Sequence, residues 1–471
     1  MSLRVKRTSR LIYYLSLFKT AVAGEQKEFT SGSIDKAIFM LSIPMILEMI
    51  MESLFAVVDV FFVGKLGVDA VATVGLTESM LTIIYSLGIG LSMAATAVVS
   101  RRVGEKNPDA AAHSGMQAIY LAMGVSLLIS FTGIFFSKEL LLLMGASTEL
   151  VETNYRYTQI MLGSNFVIML LFMINGVFRG AGDASIAMRS LWLANILNIL
   201  LCPTLIYGWG PFPELGLTGA ALATTIGRGA GVVYQFYYLF KGRGVIRVLR
   251  KHMSWDFPVI KSLVQIGAGG TAQFLIASAS WIFLIRILSG FGSQALAGYT
   301  IAIRVIVFAI LPASGMANAA ATLVGQNLGA RQPERAEQSV WKTAFYNMLF
   351  LGCISIVFFL GAKPIISFFN QEPEVIRYGT LCLKIVCLGY IFYAYGMVIS
   401  SSFNGAGDTK TPTILNFFGF WLFQIPLAYL IAVVWEVGPE GVFWAISIAE
   451  SAIAIVAILL FRRGTWKTVK V

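Results

Sequence analysis

The sequence predicts an all-α integral membrane protein of twelve transmembrane helices in two pseudo-symmetric six-helix lobes, and three observations carry that prediction. The first is composition. Mean hydropathy is +0.77, with 57% hydrophobic and 13% charged residues over 471 positions, where a soluble globule carries about 25% charge. The second is an internal duplication. Phe178-Arg179-Gly180-Ala181-Gly182-Asp183 recurs as Phe403-Asn404-Gly405-Ala406-Gly407-Asp408, an offset of 225 that also links Gly67 to Gly292, Gly90 to Gly315, Gly104 to Gly329, Pro108 to Pro333 and Gly216 to Gly441. The third is the one-sided placement of lysine and arginine.

A spanning helix needs about 20 mostly apolar residues, and breaks at Gly, Pro and charge divide the chain into twelve such stretches. Residues 1–36 precede them. The first lobe, 37–240, holds spans at 37–63, 70–99, 115–137, 151–178, 186–208 and 217–240. A basic linker, 241–259, follows, where Lys241-Gly242-Arg243-Gly244 joins helix-breaking glycine to positive charge. The second lobe, 260–461, holds spans at 260–289, 295–325, 340–361, 375–403, 411–434 and 441–461, before a tail at 462–471. Within residues 1–30, Arg4, Lys6, Arg7 and Arg10 followed by Leu11 to Phe18 have the outline of a signal peptide. They read better as a basic, aromatic segment on the membrane surface.

The formal net charge of +11 does not imply a nucleic-acid partner, because no soluble domain exists to carry a basic face. Of the 35 Lys and Arg, 26 fall in segments on one side of the bilayer, five (Lys65, Lys138, Arg156, Lys363, Arg377) on the other, and four within spans. The positive-inside rule therefore places both termini in the cytoplasm of a multi-pass cell-membrane protein.

Ionisable side chains within a bilayer mark function by default. Glu48, Glu52 and Asp59 on the first span fall within about 40° of one another at about 100° per residue, so one face of that helix is acidic. Such a stripe lines a water-accessible cavity, with Glu78 of the second span a fourth candidate, and crowding favours the protonated form of its members. The other reading of Glu48 and Glu52 is a position near the wetter helix end, and Asp59, one turn before Gly64, allows an interfacial position. Candidate basic residues of the cavity are Arg228, Arg286 and Arg304; each equally suits snorkelling to an interface. The second lobe places no acid within a span until Glu450, an asymmetry that assigns ion coupling to the first lobe.

Pro44, inside the first span, is a candidate hinge, and Pro312 is its counterpart in the eighth. The Gly-Ala-Gly-Asp turns read as caps that need glycine at positive φ, not as phosphate loops, since neither precedes the Lys-Ser/Thr of that motif. The four cysteines have no metal spacing and read as small apolar residues. No metal site or resident cofactor is expected. His113 and His252, the only histidines, are both placed in loops, and no catalytic constellation is evident, so an enzyme is not expected.

Val324-Gly325-Gln326-Asn327-Leu328-Gly329-Ala330, with Pro333-Glu334-Arg335-Ala336 and both Gly-Ala-Gly-Asp turns, resembles the multidrug and toxic compound extrusion family over residues 35 to 462. The resemblance implies a V-shaped pair of lobes around a central cleft, expelling organic cations or amphipathic compounds in exchange for protons or sodium. It also implies a first-lobe ion site at Asp59, Asn198 and Thr224, with Cys202 where the pattern expects aspartate. A sulfur in place of a carboxylate suits sodium poorly, which favours H+ as the coupling ion.

An antiporter is thus the expected function, acting on a small-molecule substrate as a monomer in the lipid bilayer. The alternative within the same superfamily is a lipid-linked oligosaccharide flippase, which would use a cavity lined by Arg228, Arg286 and Arg304. A channel fits less well, because duplicated lobes suit alternating access better than a fixed pore.

Overall fold

The computed structural model describes residues 15–24, 29–242 and 244–471, apart from the side chains of Ala56, Val57, Asp59 and Val60. Among them there is no strand. The helices are α1 (Ile34–Val63), α2 (Val68–Gly104), α3 (Pro108–Phe135), α4 (Thr148–Gly163 and Asn165–Gly180), α5 (Ala184–Tyr207) and α6 (Gly216–Lys241). The second half repeats them as α7 (Phe257–Ser289), α8 (Ser293–Gly329), α9 (Pro333–Phe369), α10 (Pro373–Leu388 and Tyr390–Ala406), α11 (Lys410–Val434) and α12 (Pro439–Arg462).

The 225-residue offset holds in the backbone. It maps both ends of α2 onto α8, and the break of α4 at Ser164 onto that of α10 at Gly389. It relates Gly67 to Gly292 at φ 107° and 101°, and Gly182 to Gly407 at 85° and 89°, as the turns require. Even the left-handed Lys106 and Arg331, at φ 57° and 58°, are a repeat pair. Asn107 caps α3 by accepting from the Ala110 amide at 3.0 Å, with Pro108 at the first helical position.

Among the described residues ten helices are each long and apolar enough to cross a membrane, and the two parts of α10, bent by 58°, make an eleventh. The expected twelfth, α6, fails that test because Gly216, Gly219, Gly227, Gly229 and Gly231 dilute its hydropathy. Those glycines serve packing instead. Gly219, Ala223, Gly227 and Gly231 recur every fourth residue, and a Cβ at Gly227 or Gly231 would lie 2.6 or 2.9 Å from the carbonyl oxygens of Ala194 and Ser190. This small-residue face lets α6 approach α5 backbone to backbone.

The helices pack as two lobes, and α1 and α7 lie on the seam between them. α1 packs on α5 of its own half and α8 of the other, and α7 packs reciprocally on α2. Cross-lobe hydrogen bonds cluster at the end that carries the C-terminal tail: Gln326 Nε2 donates to the Gly180 carbonyl at 3.1 Å, Thr322 Oγ1 to that of Arg179 at 3.2 Å, and Arg101 Nη2 to that of Ala406 at 3.1 Å. The tail adds to this latch, since the Val469 and Val471 carbonyls accept from Arg101 and Arg102.

The described part of the N-terminal segment does more than cover a membrane surface. Residues 15–23 are helical, and Leu17 and Ala21, one turn apart, are buried with Phe29 against Leu41, Ala184 and Leu323 at the seam. Residues 1–14, with Arg4, Lys6, Arg7 and Arg10, lie outside the described residues. The histidines also depart from expectation. His113 lies within α3, its Nδ1 3.1 Å from the His252 carbonyl oxygen, and His252 is buried. The helices extend past the apolar spans, so residues read as loop by hydropathy are helical.

Candidate ion-coupling site in the first lobe

One turn separates Glu48 from Glu52 on α1, and the helix turns both toward the interior of the first lobe. Glu48 is 2% exposed. Its Oε1 accepts from Asn175 Nδ2 at 3.1 Å and lies 3.7 Å from Arg179 Nη1. Asn175 and Arg179 are themselves one turn apart on α4, so a single helical face supplies both partners. Arg179 Nη2 donates to Ser92 of α2 at 2.8 Å. Behind Asn175, its Oδ1 accepts from Ser190 of α5 and Gln235 of α6, which links four helices through one buried acid.

Glu52, 26% exposed, meets Arg228 of α6, whose Nη2 lies 3.3 Å from Oε1. Arg228 is 2% exposed, and its guanidinium stands over the rings of Phe55 at 4.8 Å and Tyr85 at 5.9 Å. Glu78 of α2 acts on Arg228 electrostatically as well. Cation–π contacts of a desolvated guanidinium are worth about 2 kcal/mol. Arg228 Nε and Nη1 and the second oxygens of both glutamates have no hydrogen-bond partner among the described residues. Each pair is thus satisfied on one side only, a state that costs more than an apolar core of the same shape.

Further along, the α5–α6 approach brings Asn198 to Thr224, with Nδ2 donating to Oγ1 at 3.1 Å and Asn198 Oδ1 left without a partner among the described residues. Cys202, fully buried, continues the α5 face of Ser190, Ala194 and Asn198 at four-residue steps. It therefore also serves the tight helix contact, where a small side chain is needed. Asn195 Nδ2 ties α5 to the Met51 carbonyl of α1 at 3.0 Å. Asp59 sits two turns beyond Glu52 on α1, and its side chain lies outside the described residues.

The candidate basic residues do not converge. Arg228 is in the site, whereas Arg286 is exposed along a groove between α7 and α11 lined by Phe283 and Tyr429, and Arg304 is exposed on α8. Pro44 is buried within α1, which runs through it without a break, and the α1–α8 contact falls beside it, where Gly315 meets the backbone of Met45 and Ile46. Among the described residues no group of three His, Cys, Asp or Glu side chains is placed to hold a metal ion.

Arg179, Asn175, Ser190 and Gln235 are the partners that sequence reasoning missed. By hydropathy Arg179 is an interfacial charge before the Gly-Ala-Gly-Asp turn. Its i, i+4 spacing from Asn175 at the end of an apolar span is the signal that could have found it.

The sequence profile of MatE matches residues 44–204 and 271–430, one segment in each half. The chain is 26% identical over 453 residues to a probable multidrug resistance protein NorM of Thermotoga maritima, covering 96% of both chains. It is 23% identical over 433 residues to the multidrug export protein MepA of Staphylococcus aureus, covering 92% of this chain and 94% of that one. The outward-facing structure of a multidrug resistance MATE family transporter of the MOP superfamily superposes with a TM-score of 0.88 at 27% identity, over 94% of this chain and 99% of the other. A profile matched in both halves, on a fold shared along nearly the whole length, shows that this chain belongs to the MatE family, the multidrug and toxic compound extrusion transporters.

Proposed function

We propose that the chain is a secondary active multidrug efflux antiporter that exports organic cations or amphipathic compounds in exchange for protons, by alternating access. The observation that carries this reading is the position of α1. It touches both lobes and bears two carboxylates, each held by an arginine of the first lobe. A proton arriving at such an acid releases its guanidinium partner, so charge uptake loosens contacts at the seam helix and favours a change in how the lobes meet.

With both termini in the cytoplasm, the hydrogen bonds of Arg101, Thr322 and Gln326 close the cytoplasmic end, and the described conformation faces outward. A proton taken up on α1 from outside accompanies cargo release. Return to the inward-facing state delivers the proton to the cytoplasm. One proton crossing about 100 mV contributes about 2.3 kcal/mol, to which a pH difference adds. Sodium is the less favoured ion because Cys202 offers sulfur beside Asn198 and Thr224. Cation efflux under an imposed pH gradient or an imposed sodium gradient separates the two.

A further inference from the structure

The second lobe contains an open cleft of about 250 Å³ lined by α7, α10, α11 and α12, and its one charged lining residue is Glu450. This residue stands near the middle of α12, at the depth where a charge costs most. Unlike Glu48 and Glu52, it has no hydrogen bond or ion pair with any described residue. Tyr393, Ser400, Ser401 and Asn404 of α10, with Gln273 of α7 and Asn416 of α11, supply the other polar lining, and Phe274 and Phe420 supply ring surface.

Neighbouring polar groups are already committed elsewhere. Gln273 and Asn404 bond each other reciprocally, at 2.9 and 3.1 Å, and Gln273 also donates to the Thr409 carbonyl. They form a fixed wall that leaves Glu450 uncompensated. Gly396 packs so closely on Ala454 that a Cβ there would come within 3.0 Å, which draws α10 onto α12 and narrows the cleft. Met93 of α2 completes the lining, so the cleft abuts the seam between the lobes.

We propose that Glu450 is the anionic anchor of a second binding site, in the second lobe, for the ammonium end of an organic cation. The volume is below the roughly 300–1,000 Å³ of a site for a whole drug-sized molecule. It therefore accepts a substituted ammonium head with a few attached carbons, while the rest of the substrate lies along the seam. Serine and tyrosine hydroxyls suit an N–H donor, and the two phenylalanine rings suit an alkylated ammonium. The proposal rests on the reading of the chain as a cation exporter.

The test is equilibrium binding of radiolabelled phenyltrimethylammonium to the purified full chain in lipid nanodiscs, for the parent, Glu450→Gln and Glu450→Asp. A loss of affinity of at least tenfold in Glu450→Gln, largely restored in Glu450→Asp, is the expected result. A second measurement needs no variant. A hydrophobic carbodiimide should modify Glu450 in the parent, read by peptide mass spectrometry, and the cation should suppress that modification several-fold. Unchanged affinity in Glu450→Gln, or modification that the cation leaves unaltered, overturns the site while leaving cation export standing. A parent chain that neither binds nor exports any organic cation overturns the broader reading, and the site with it.

Discussion

Gly104 on α2 and Gly329 on α8 are repeat equivalents, and each lies against the backbone of the opposite half: a Cβ on Gly104 would overlap the carbonyl oxygen of Gln326, and one on Gly329 that of Arg101. The duplication thus produces a reciprocal contact in which the two helices meet with no side chain between them. Since this contact sits within the Arg101, Thr322 and Gln326 hydrogen bonds, it belongs to the latch that joins the lobes at one end.

Gly104→Val should open that end. Hydrogen exchange across residues 322–330 is expected to rise at least about tenfold, equivalent to about 1.4 kcal/mol. Exchange as slow as in the parent would show that the contact does not hold the lobes.

Arg179→Ala should leave the buried Glu48 carboxylate without its charge partner. Removing one member of a buried pair costs about 3–5 kcal/mol, to be read from denaturant unfolding of the purified protein. Adding Glu48→Gln in the same chain should recover much of the loss, because a neutral amide still bonds Asn175. A double variant no better than Arg179→Ala would contradict the pairing.

Two glycines of α6 should behave oppositely. Gly227→Ala forces a methyl group to 2.6 Å from the Ala194 carbonyl oxygen and should destabilise by about 1–3 kcal/mol through overpacking. Gly229 has open space for 4 Å around the point where a methyl group would stand. As alanine it should gain about 0.4–1 kcal/mol, from helix propensity and a less flexible unfolded chain. Melting temperatures that shift alike would argue against the close α5–α6 approach.

Cys202→Asp would place a hard oxygen ligand one turn from Asn198, which itself bonds Thr224. Sodium, but not choline, is then expected to raise the melting temperature of the variant and not that of the parent. Equal responses would mean that Cys202 is not what disfavours sodium.

The architecture was legible because glycine and proline positions repeat at 225 residues, and these set helix ends that hydropathy alone blurs. The breaks at Ser164 and Gly389 were not legible: one serine and one glycine interrupt apolar runs that hydropathy reads as continuous. Helical spacing brought out the acidic face of α1, but not the residues opposite it. Asn175, Ser190 and Gln235 are ordinary polar positions until folding gathers them around Glu48. Arg286 and Arg304 group with Arg228 by charge and depth alone, and a face on a helix does not reveal which neighbour it meets.

The most direct measurement is transport of a fluorescent organic cation into everted vesicles, energised separately by a pH gradient and by a sodium gradient, for the parent, Glu48→Gln and Asp59→Asn. Proton-driven, sodium-independent transport that is lost in Asp59→Asn and reduced in Glu48→Gln is the expected result. Transport that requires sodium, or that both variants sustain at the parent rate, would contradict proton coupling through the acids of α1.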